Sequence, residues 1–175
     1  MTSKSPTSNL LENEANSPST ILVIFGASGD LTARKLAPAI FNLSLDGLLP
    51  SECFLIGYGR QLMSDDEFKA YLKDSLDAHS RRRIEGKAWE QLERKISFQA
   101  GSYDDPKSFE ELKLKIEGIE KQLGQPMQCL FYVSTPPGVF KPILENLGKS
   151  GLAKRHSQKQ FESKVIIEKP FGRDL

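Results

Sequence analysis

The stretch Thr20-Ile-Leu-Val-Ile-Phe-Gly-Ala-Ser-Gly-Asp-Leu-Thr32 decides how this chain folds. Its first half is a continuous apolar run, residues 21–25, which is typical of a central parallel strand buried on both faces. Gly26 and Gly29 follow at once and predict a tight turn. The apolar positions after Gly29 recur with helical spacing as far as Asp46-Gly47, which predicts a helix. The stretch therefore indicates a strand, a glycine turn and a helix.

This strand–turn–helix unit is a candidate site for a phosphate group. Glycines let backbone amides approach a ligand closely, and the amides at a helix start are unpaired and carry partial positive charge. The anion most often bound in such a place is a dinucleotide pyrophosphate. The strict fingerprint G-x-G-x-x-G is not met, because Ser28 and Leu31 replace its second and third glycines. The P-loop motif is absent, and the alternative is an ordinary turn that uses glycine for its geometry.

The composition excludes some classes of function. The 175 residues carry 24 basic and 23 acidic side chains, a balance that gives no argument for binding nucleic acid or a membrane. Residues 1–19 are polar and predict a disordered lead-in without the apolar core of a secretory signal. No stretch is long enough to span a bilayer, so we expect a cytoplasmic protein. Cys53 and Cys129 are expected to be buried thiols, with a disulfide or a regulatory pair as less favoured alternatives.

Strands and helices alternate along the chain after residue 19. Apolar runs predict further strands at residues 53–58, 96–100, 129–134 and 164–168. Amphipathic stretches between them predict helices, two of which begin at the capping box Ser64–Glu67 and at Asp105-Pro106. Pro38 lies inside the first helical pattern and predicts a kink or a later helix start. This order predicts the α/β class: a Rossmann-type, doubly wound parallel sheet with helices on both faces.

The end of the second strand indicates which cofactor the sheet would bind. In such sheets ligands lie at the carboxyl ends of the strands, beside the switch in strand order. Here the chain reads Gly57-Tyr-Gly-Arg-Gln61, with no acid that could accept from an unphosphorylated ribose. An arginine can instead hold a 2′-phosphate in a bidentate grip. Arg60 therefore favours NADP over NAD, and a surface arginine without a ligand is the alternative.

Four other titratable residues are candidates for a site: Asp30, His79, His156 and Lys169. Asp30 would be unfavourable beside a pyrophosphate, so we expect it to bond local backbone amides. His79 and His156 lie in polar segments and are expected to be solvated rather than catalytic. Lys169 lies at the end of the fifth strand and could bridge a cofactor and an anionic substrate. The alternative for Lys169 is a strand-end lysine in solvent.

Several motifs occur in the order that one family shows. They are Gly-Ala-Ser-Gly-Asp-Leu at 26–31, Tyr-Gly-Arg at 58–60, Tyr-Asp-Asp at 103–105, Phe-Tyr at 131–132 with Pro-Pro at 136–137, and Glu-Lys-Pro-Phe-Gly-Arg-Asp-Leu at 168–175. Together they resemble the glucose-6-phosphate dehydrogenase family, from about residue 21 to residue 175. The first and last of these motifs are the most specific.

The resemblance implies oxidation of glucose 6-phosphate at C1 to 6-phosphogluconolactone, with hydride passed to NADP, the first step of the oxidative pentose phosphate pathway. It implies that Arg60 binds the 2′-phosphate, that Tyr103 lies near the cofactor, and that Lys169 contacts both cofactor and sugar phosphate. Phe140 stands where the family commonly has a tyrosine. The residues implied to line the pyrophosphate are Gly26, Ala27, Ser28, Gly29, Asp30, Leu31 and Thr32.

The chain also departs from the family. The segment Arg-Ile-Asp-His-Tyr-Leu-Gly-Lys-Glu, which supplies the family's catalytic histidine, occurs nowhere in it. We therefore expect no catalytic residue here, with the general-base histidine beyond Leu175. Residues 20–175 then form a truncated NADP-binding Rossmann domain, incomplete at its carboxyl end, without metal and without the substrate and dimerisation domain of a homo-oligomeric parent enzyme. The alternative is a free-standing NADP-binding or partner-binding module without turnover.

Overall fold

The computed structural model of the chain describes residues 17–84, 86–154 and 162–168. The five strands are β1 (Thr20–Phe25), β2 (Cys53–Gly59), β3 (Ile96–Ala100), β4 (Gln128–Val133) and β5 (Lys164–Ile167). The five α-helices are α1 (Ala37–Leu45), α2 (Asp65–His79), α3 (Gly86–Glu93), α4 (Pro106–Leu123) and α5 (Phe140–Lys149). Residues 1–16 of the predicted lead-in and Lys169 lie outside the described residues.

All five strands run parallel in one sheet, in the order β3-β2-β1-β4-β5. The order reverses direction beside β1, between β2 and β4. In the register of the sheet Phe25 lies between Tyr58 and Val133. The three strands therefore end at the same level, and the segments that follow them gather at one edge of the sheet. This arrangement confirms the predicted doubly wound α/β fold.

Helices cover both faces of the sheet, and each face has its own hydrophobic core. On one face α4 and α5 pack against Ile21, Val23 and Phe25 of β1. On the other face α1, α2 and α3 pack against residues that include Ile24 of β1. Alternate side chains of β1 thus enter opposite cores, because successive residues of a strand point to opposite faces. The prediction of a central strand buried on both faces is confirmed.

The predicted helix starts are present. At the start of α2 the Ser64 hydroxyl accepts from the Glu67 amide at 3.2 Å, and the Glu67 carboxylate accepts from the Ser64 amide at 2.7 Å. At the start of α4 the Asp105 carboxylate accepts from the Lys107 amide at 3.1 Å. These bonds satisfy amides that a helix start leaves unpaired, which stabilises each helix by about 1 kcal/mol.

The irregularity predicted at Pro38 takes the form of a π-helical turn, Thr32–Leu36, that leads directly into α1. Proline has no amide hydrogen, and in an α-helix its ring clashes with the carbonyl four residues earlier. Here the backbone widens before Pro38, and the Ala37 amide donates to the Thr32 carbonyl five residues earlier. The helix therefore continues through the proline with a local change of pitch.

Strand β5 is an edge strand of the sheet that the described residues form. Its Val165 and Ile166 are 39% and 40% exposed. The Tyr132 hydroxyl of β4 donates to the Glu168 carboxylate just after β5. Burial, together with this carboxylate, raises the pKa of Tyr132 to about 12. The end of β5 is thereby tied to β4 by a side-chain bond as well as by the sheet.

Two further expectations concern the cysteines and membrane segments. Cys53 and Cys129 are both thiols, the first half-buried and the second buried. Burial raises the pKa of the Cys53 thiol to about 11, so this thiol is protonated at neutral pH. Within the described ranges, no helix combines the length and the apolar character that crossing a bilayer requires.

Candidate functional site

A cleft opens where the chain leaves β1, β2, β3 and β4. Its volume is about 260 Å³, and it lies at the strand ends where the doubly wound fold binds ligands. Four segments that the sequence places apart form its walls: the glycine turn after β1 and the segments that directly follow β2, β3 and β4. Its lining residues are Gly26, Ser28, Gly29, Arg60, Gln61, Tyr103, Ser134, Thr135, Pro136 and Val139.

At Gly26 the glycine turn passes close to the segment after β4. Its φ angle is +82°, a conformation that residues with a Cβ rarely adopt. A Cβ placed there would lie 2.9 Å from the Ser134 carbonyl oxygen and 3.0 Å from the Thr135 methyl carbon. Glycine therefore lets the turn pass against β4 and leaves the cleft open above it.

Three amides of the glycine turn donate to backbone carbonyls and are therefore not available to a ligand. The Gly26 and Ala27 amides both donate to the Tyr58 carbonyl of β2, at 2.9 and 3.2 Å, and the Gly29 amide donates to the Gly26 carbonyl at 2.9 Å. Two of these amides thus hold the turn to β2, and the third closes the turn on itself. Among the described residues the Ser28 amide has no such partner, so an anion in the cleft could accept from it.

Side chains from other elements brace the same turn. The Thr32 hydroxyl donates to the Gly26 carbonyl at 3.2 Å and lies 3.3 Å from the Ser134 hydroxyl, which donates to the Phe25 carbonyl at 2.8 Å. The Tyr71 hydroxyl of α2 donates to the Gly29 carbonyl at 3.2 Å. Sequence reasoning missed these hydrogen bonds. Helical periodicity explains Tyr71 as a packing residue, and it does not indicate a partner for the Tyr71 hydroxyl.

Arg60, directly after β2, and Tyr103, in the segment after β3, form one wall of the cleft. The Arg60 side chain is exposed, and its Cζ atom lies 5.8 Å from the centroid of the Tyr103 ring, a cation–π contact. Tyr103 is only 8% exposed. Burial raises the pKa of its hydroxyl, while the Arg60 charge and the Gly26 backbone oppose that rise. Arg60 and Tyr103 thus lie together in the cleft, beside the glycine turn.

Thr135 tests whether the cleft fits a polar ligand. It is 8% exposed, and its hydroxyl oxygen is buried without a hydrogen-bond partner in the part of the chain that the structure describes. An unpaired buried hydroxyl costs about 1–3 kcal/mol, which a ligand that pairs with it would remove. With the Gly26 cradle and the Ser28 amide, it gives the lining residues the character of a nucleotide phosphate site.

The other residues implied by the resemblance are not all at the cleft surface. Ala27 and Thr32 are buried, so their side chains support the turn and do not line the cleft. Asp30 and Leu31 lie at a neighbouring cleft of about 400 Å³, with Arg34, Lys35 and His79. The expectation that Asp30 bonds local amides is wrong: its carboxylate instead approaches the Arg34 guanidinium at 3.7 Å, and the side chain is 81% exposed.

Two histidines and one lysine remain of the residues considered from the sequence. His79 is exposed at the end of α2, as expected of a solvated histidine. Lys169 and His156 lie outside the described residues. No cluster of three or more His, Cys, Asp or Glu side chains that could hold a metal ion occurs within the described ranges.

A larger cavity of about 420 Å³ lies at the opposite edge of the sheet, beside the amino ends of β2 and β3. Its lining includes Leu49, Cys53, Arg94 and Lys95. The Lys95 ammonium is already paired with the Glu52 carboxylate at 3.2 Å. Size alone favours this cavity, but strand-end position, the glycine turn and the orphan Thr135 hydroxyl all favour the smaller cleft as the nucleotide site.

Sequence comparisons identify the family independently of this geometry. The sequence model described as "Glucose-6-phosphate dehydrogenase, NAD binding domain" matches residues 23–175. The chain is 39% identical over 166 residues to the glucose-6-phosphate 1-dehydrogenase of Chlamydia pneumoniae, covering 94% of this chain and 32% of that protein. It is 36% identical over 155 residues to glucose-6-phosphate 1-dehydrogenase 2 of Mus musculus, covering 89% of this chain and 28% of that protein.

Solved structures agree with the sequence comparisons. The crystal structure of glucose-6-phosphate 1-dehydrogenase from Mycobacterium avium matches with a TM-score of 0.75 and 29% identity, over 90% of this chain and 31% of that one. A glucose-6-phosphate dehydrogenase in complex with its substrate glucose-6-phosphate matches with a TM-score of 0.76 and 31% identity, over 90% of this chain and 32% of that one. The chain spans about a third of the length of these relatives. It belongs to the glucose-6-phosphate dehydrogenase family and corresponds to that family's nucleotide-binding domain.

Proposed function

We propose that the cleft binds NADP, the pyridine nucleotide that carries a 2′-phosphate. The observation that carries this proposal is Arg60, an exposed guanidinium on the cleft wall at the end of β2. The residues that line the described cleft include no Asp or Glu. An acid at this place would accept from the ribose of NAD and repel a 2′-phosphate, whereas an arginine pairs with the phosphate. The charge of the cleft therefore favours NADP over NAD.

Different residues of the cleft would bind different parts of the cofactor. The turn of residues 26–32 would lie along the pyrophosphate, with the Ser28 amide and the Thr135 hydroxyl as donors that have no partner among the described residues. Arg60 would bind the 2′-phosphate, with Tyr103 beneath it. Lys169 would contact both the cofactor and the sugar phosphate, a role that rests on its place in the Glu-Lys-Pro-Phe-Gly motif.

We propose further that the chain is the cofactor-binding part of an enzyme that oxidises glucose 6-phosphate to 6-phosphogluconolactone. Bound NADP would supply the hydride acceptor. The support is family membership and the named activity of the relatives. The cleft lining contains no His, Asp, Glu, Lys or Cys among the described residues, so this part of the protein binds and orients. The base that takes the C1 hydroxyl proton would be the histidine of the family segment that the chain does not contain.

Other properties of the whole protein are proposed on the same ground. Family membership supports an enzyme over a free-standing binding module, and a homo-oligomer, either a dimer or a tetramer. A cytoplasmic location is supported by the two thiols, which are typical of a reducing compartment.

The experiment compares NADP and NAD binding to the 175-residue chain and to its Arg60→Ala variant by calorimetric titration. Losing a charge-assisted bond to the 2′-phosphate costs about 1.5–3 kcal/mol, which is roughly a tenfold to hundredfold loss of NADP affinity. NAD affinity is expected to change little. Arg81→Ala removes an exposed arginine outside the cleft and serves as the control. Equal losses for NADP and NAD in Arg60→Ala would contradict the proposal.

The role of Lys169 has a separate test, in a full-length enzyme of the family that contains this chain. Lys169→Ala is expected to lower kcat on the order of 10²-fold, because a group that holds both reactants sets the distance between the reacting carbons. Lys164→Ala, at the exposed start of β5, is the control. An unchanged kcat in Lys169→Ala would show a surface lysine.

A further inference from the structure

Tyr103 lies at the junction of the two parts of the cleft that the proposed function assigns to NADP. Its ring lies 5.8 Å from the Arg60 Cζ atom on one side. Its hydroxyl lies close enough to the Gly26 backbone for that backbone to lower its pKa against the effect of burial. One side chain therefore contacts both the 2′-phosphate arginine and the glycine turn.

Three neighbours fix the Tyr103 ring and backbone from behind. The ring packs at 5.9 Å from the Tyr58 ring and at 6.5 Å, edge to face, from the Phe25 ring. The Asn146 amide of α5 donates to the Tyr103 carbonyl at 3.1 Å, and this bond is buried. Tyr103 is thus held by β1, β2 and α5 at once, so its ring can serve as a fixed surface for the exposed Arg60 side chain.

A free arginine side chain loses rotamer entropy when it is fixed. A guanidinium that rests on an aromatic face has lost part of this entropy before the ligand binds. Binding then fixes fewer rotatable bonds of the arginine, so its entropy cost is smaller. Since Arg60 is exposed and contacts the ring by its guanidinium, a 2′-phosphate in the cleft would meet an arginine already placed beside it.

We propose that Tyr103 is a positioning residue for cofactor selectivity: its ring holds the Arg60 guanidinium at the cleft, and this raises the preference for NADP over NAD. The proposal rests on the proposed function, in which Arg60 binds the 2′-phosphate. NAD has no such phosphate, so its affinity does not depend on where Arg60 rests. Tyr103 acts through Arg60 and needs no contact with the cofactor.

Two substitutions in the 175-residue chain separate the ring from the hydroxyl. Tyr103→Phe keeps the aromatic face, and Tyr103→Leu removes it while leaving an apolar side chain in the core. A cation–π contact at an exposed site is worth about a twofold to fivefold change in affinity. Tyr103→Leu is expected to lower the ratio of NADP to NAD affinity by that factor, and Tyr103→Phe to leave the ratio unchanged. Titrations with 2′,5′-ADP and with AMP check the same ratio on fragments of the cofactors.

The Arg60→Ala background distinguishes the two proposals. If Tyr103 acts through Arg60, Tyr103→Leu changes the NADP to NAD ratio in the wild-type chain and not in the Arg60→Ala chain. If Arg60→Ala itself leaves the ratio unchanged, the proposed function fails. If Arg60→Ala lowers the ratio and Tyr103→Leu does not, only the positioning role of Tyr103 fails.

An NMR measurement on the unmodified chain tests the proposal even if the Tyr103→Leu variant does not fold. A guanidinium above an aromatic face experiences the ring current, so the Arg60 side-chain proton signals are expected upfield of those of exposed arginines such as Arg81. Arg60→Lys assigns the Arg60 signals by their loss. Arg60 signals that coincide with those of exposed arginines would overturn the inference.

Discussion

Replacing Gly26 by alanine measures how tightly the turn after β1 is closed against β4. The φ angle of +82° costs an L-residue about 1–2 kcal/mol. The new Cβ would also lie 2.9 Å from the Ser134 carbonyl oxygen, a distance at which the backbone must move. Overpacking of this kind typically adds about 1–3 kcal/mol. The free energy of unfolding is therefore expected to fall by roughly 2–5 kcal/mol, a large part of the 5–15 kcal/mol typical of a domain.

Gly151→Ala is the matched control for this experiment. Its φ of +78° is nearly the same, but no atom lies within 4 Å of the position of its Cβ. It therefore carries the backbone penalty of about 1–2 kcal/mol without the contact. Urea unfolding followed by circular dichroism gives both values, and their difference of about 1–3 kcal/mol measures the close approach at Ser134. Equal destabilisation by the two substitutions would refute the close approach of the turn to β4.

Three further predictions follow from other parts of the structure. Tyr71→Phe is expected to lower NADP affinity a few-fold (about 1 kcal/mol for one hydrogen bond), because the Gly29 carbonyl loses the hydrogen bond that Tyr71 donates to it. Calorimetry decides it, with Ser80→Ala as the control, a substitution that removes exposed hydrogen bonds at the end of α2, outside the cleft. The 175-residue chain with NADP and glucose 6-phosphate is expected to form no NADPH, because the described cleft has no general base, a group worth about 10²–10⁴ in rate; sustained absorbance of NADPH, with host enzyme excluded, would contradict this. Hydrogen bonds from the Ser64 backbone and side chain lower the pKa of Glu67 below its ordinary 4.5, so its stabilisation is present above that pH and is lost as the pH falls through the lowered value. Glu67→Gln is expected to be less stable than the parent chain at neutral pH and equal to it at strong acid; a constant gap across the pH range would disprove the role of the charge.

The main features of the fold could be predicted because local patterns agree along the chain. Five apolar runs alternate with amphipathic stretches, and the rules of parallel connections leave few arrangements of them. The capping box at Ser64 and the Asp105-Pro106 pair are local signals, since all their atoms lie within one turn of helix. The sequence predicts the π-helical turn before Pro38 only as an irregularity, because it does not say how the backbone avoids the clash between the proline ring and the preceding turn.

The site could be predicted less completely, because its contacts join residues that are distant in sequence. The glycine turn and Arg60 follow from strand ends, so the sequence identifies both. Two other contacts depend on how separate elements pack. The Tyr58 carbonyl accepts from two amides of the turn, and the Tyr71 hydroxyl donates to the Gly29 carbonyl. The orphan Thr135 hydroxyl is likewise a product of packing, and no spacing in the sequence indicates it.

Titration of the isotope-labelled 175-residue chain with NADP, followed by amide NMR, tests the central claim most directly. If the cleft at the strand ends binds the cofactor, the largest shifts are expected at Gly26, Ser28, Gly29 and Arg60, and the same titration with NAD moves Arg60 less. Shifts that are largest around Cys53 and Lys95 would place the nucleotide in the larger cavity at the opposite edge of the sheet, and would contradict the assignment of the site.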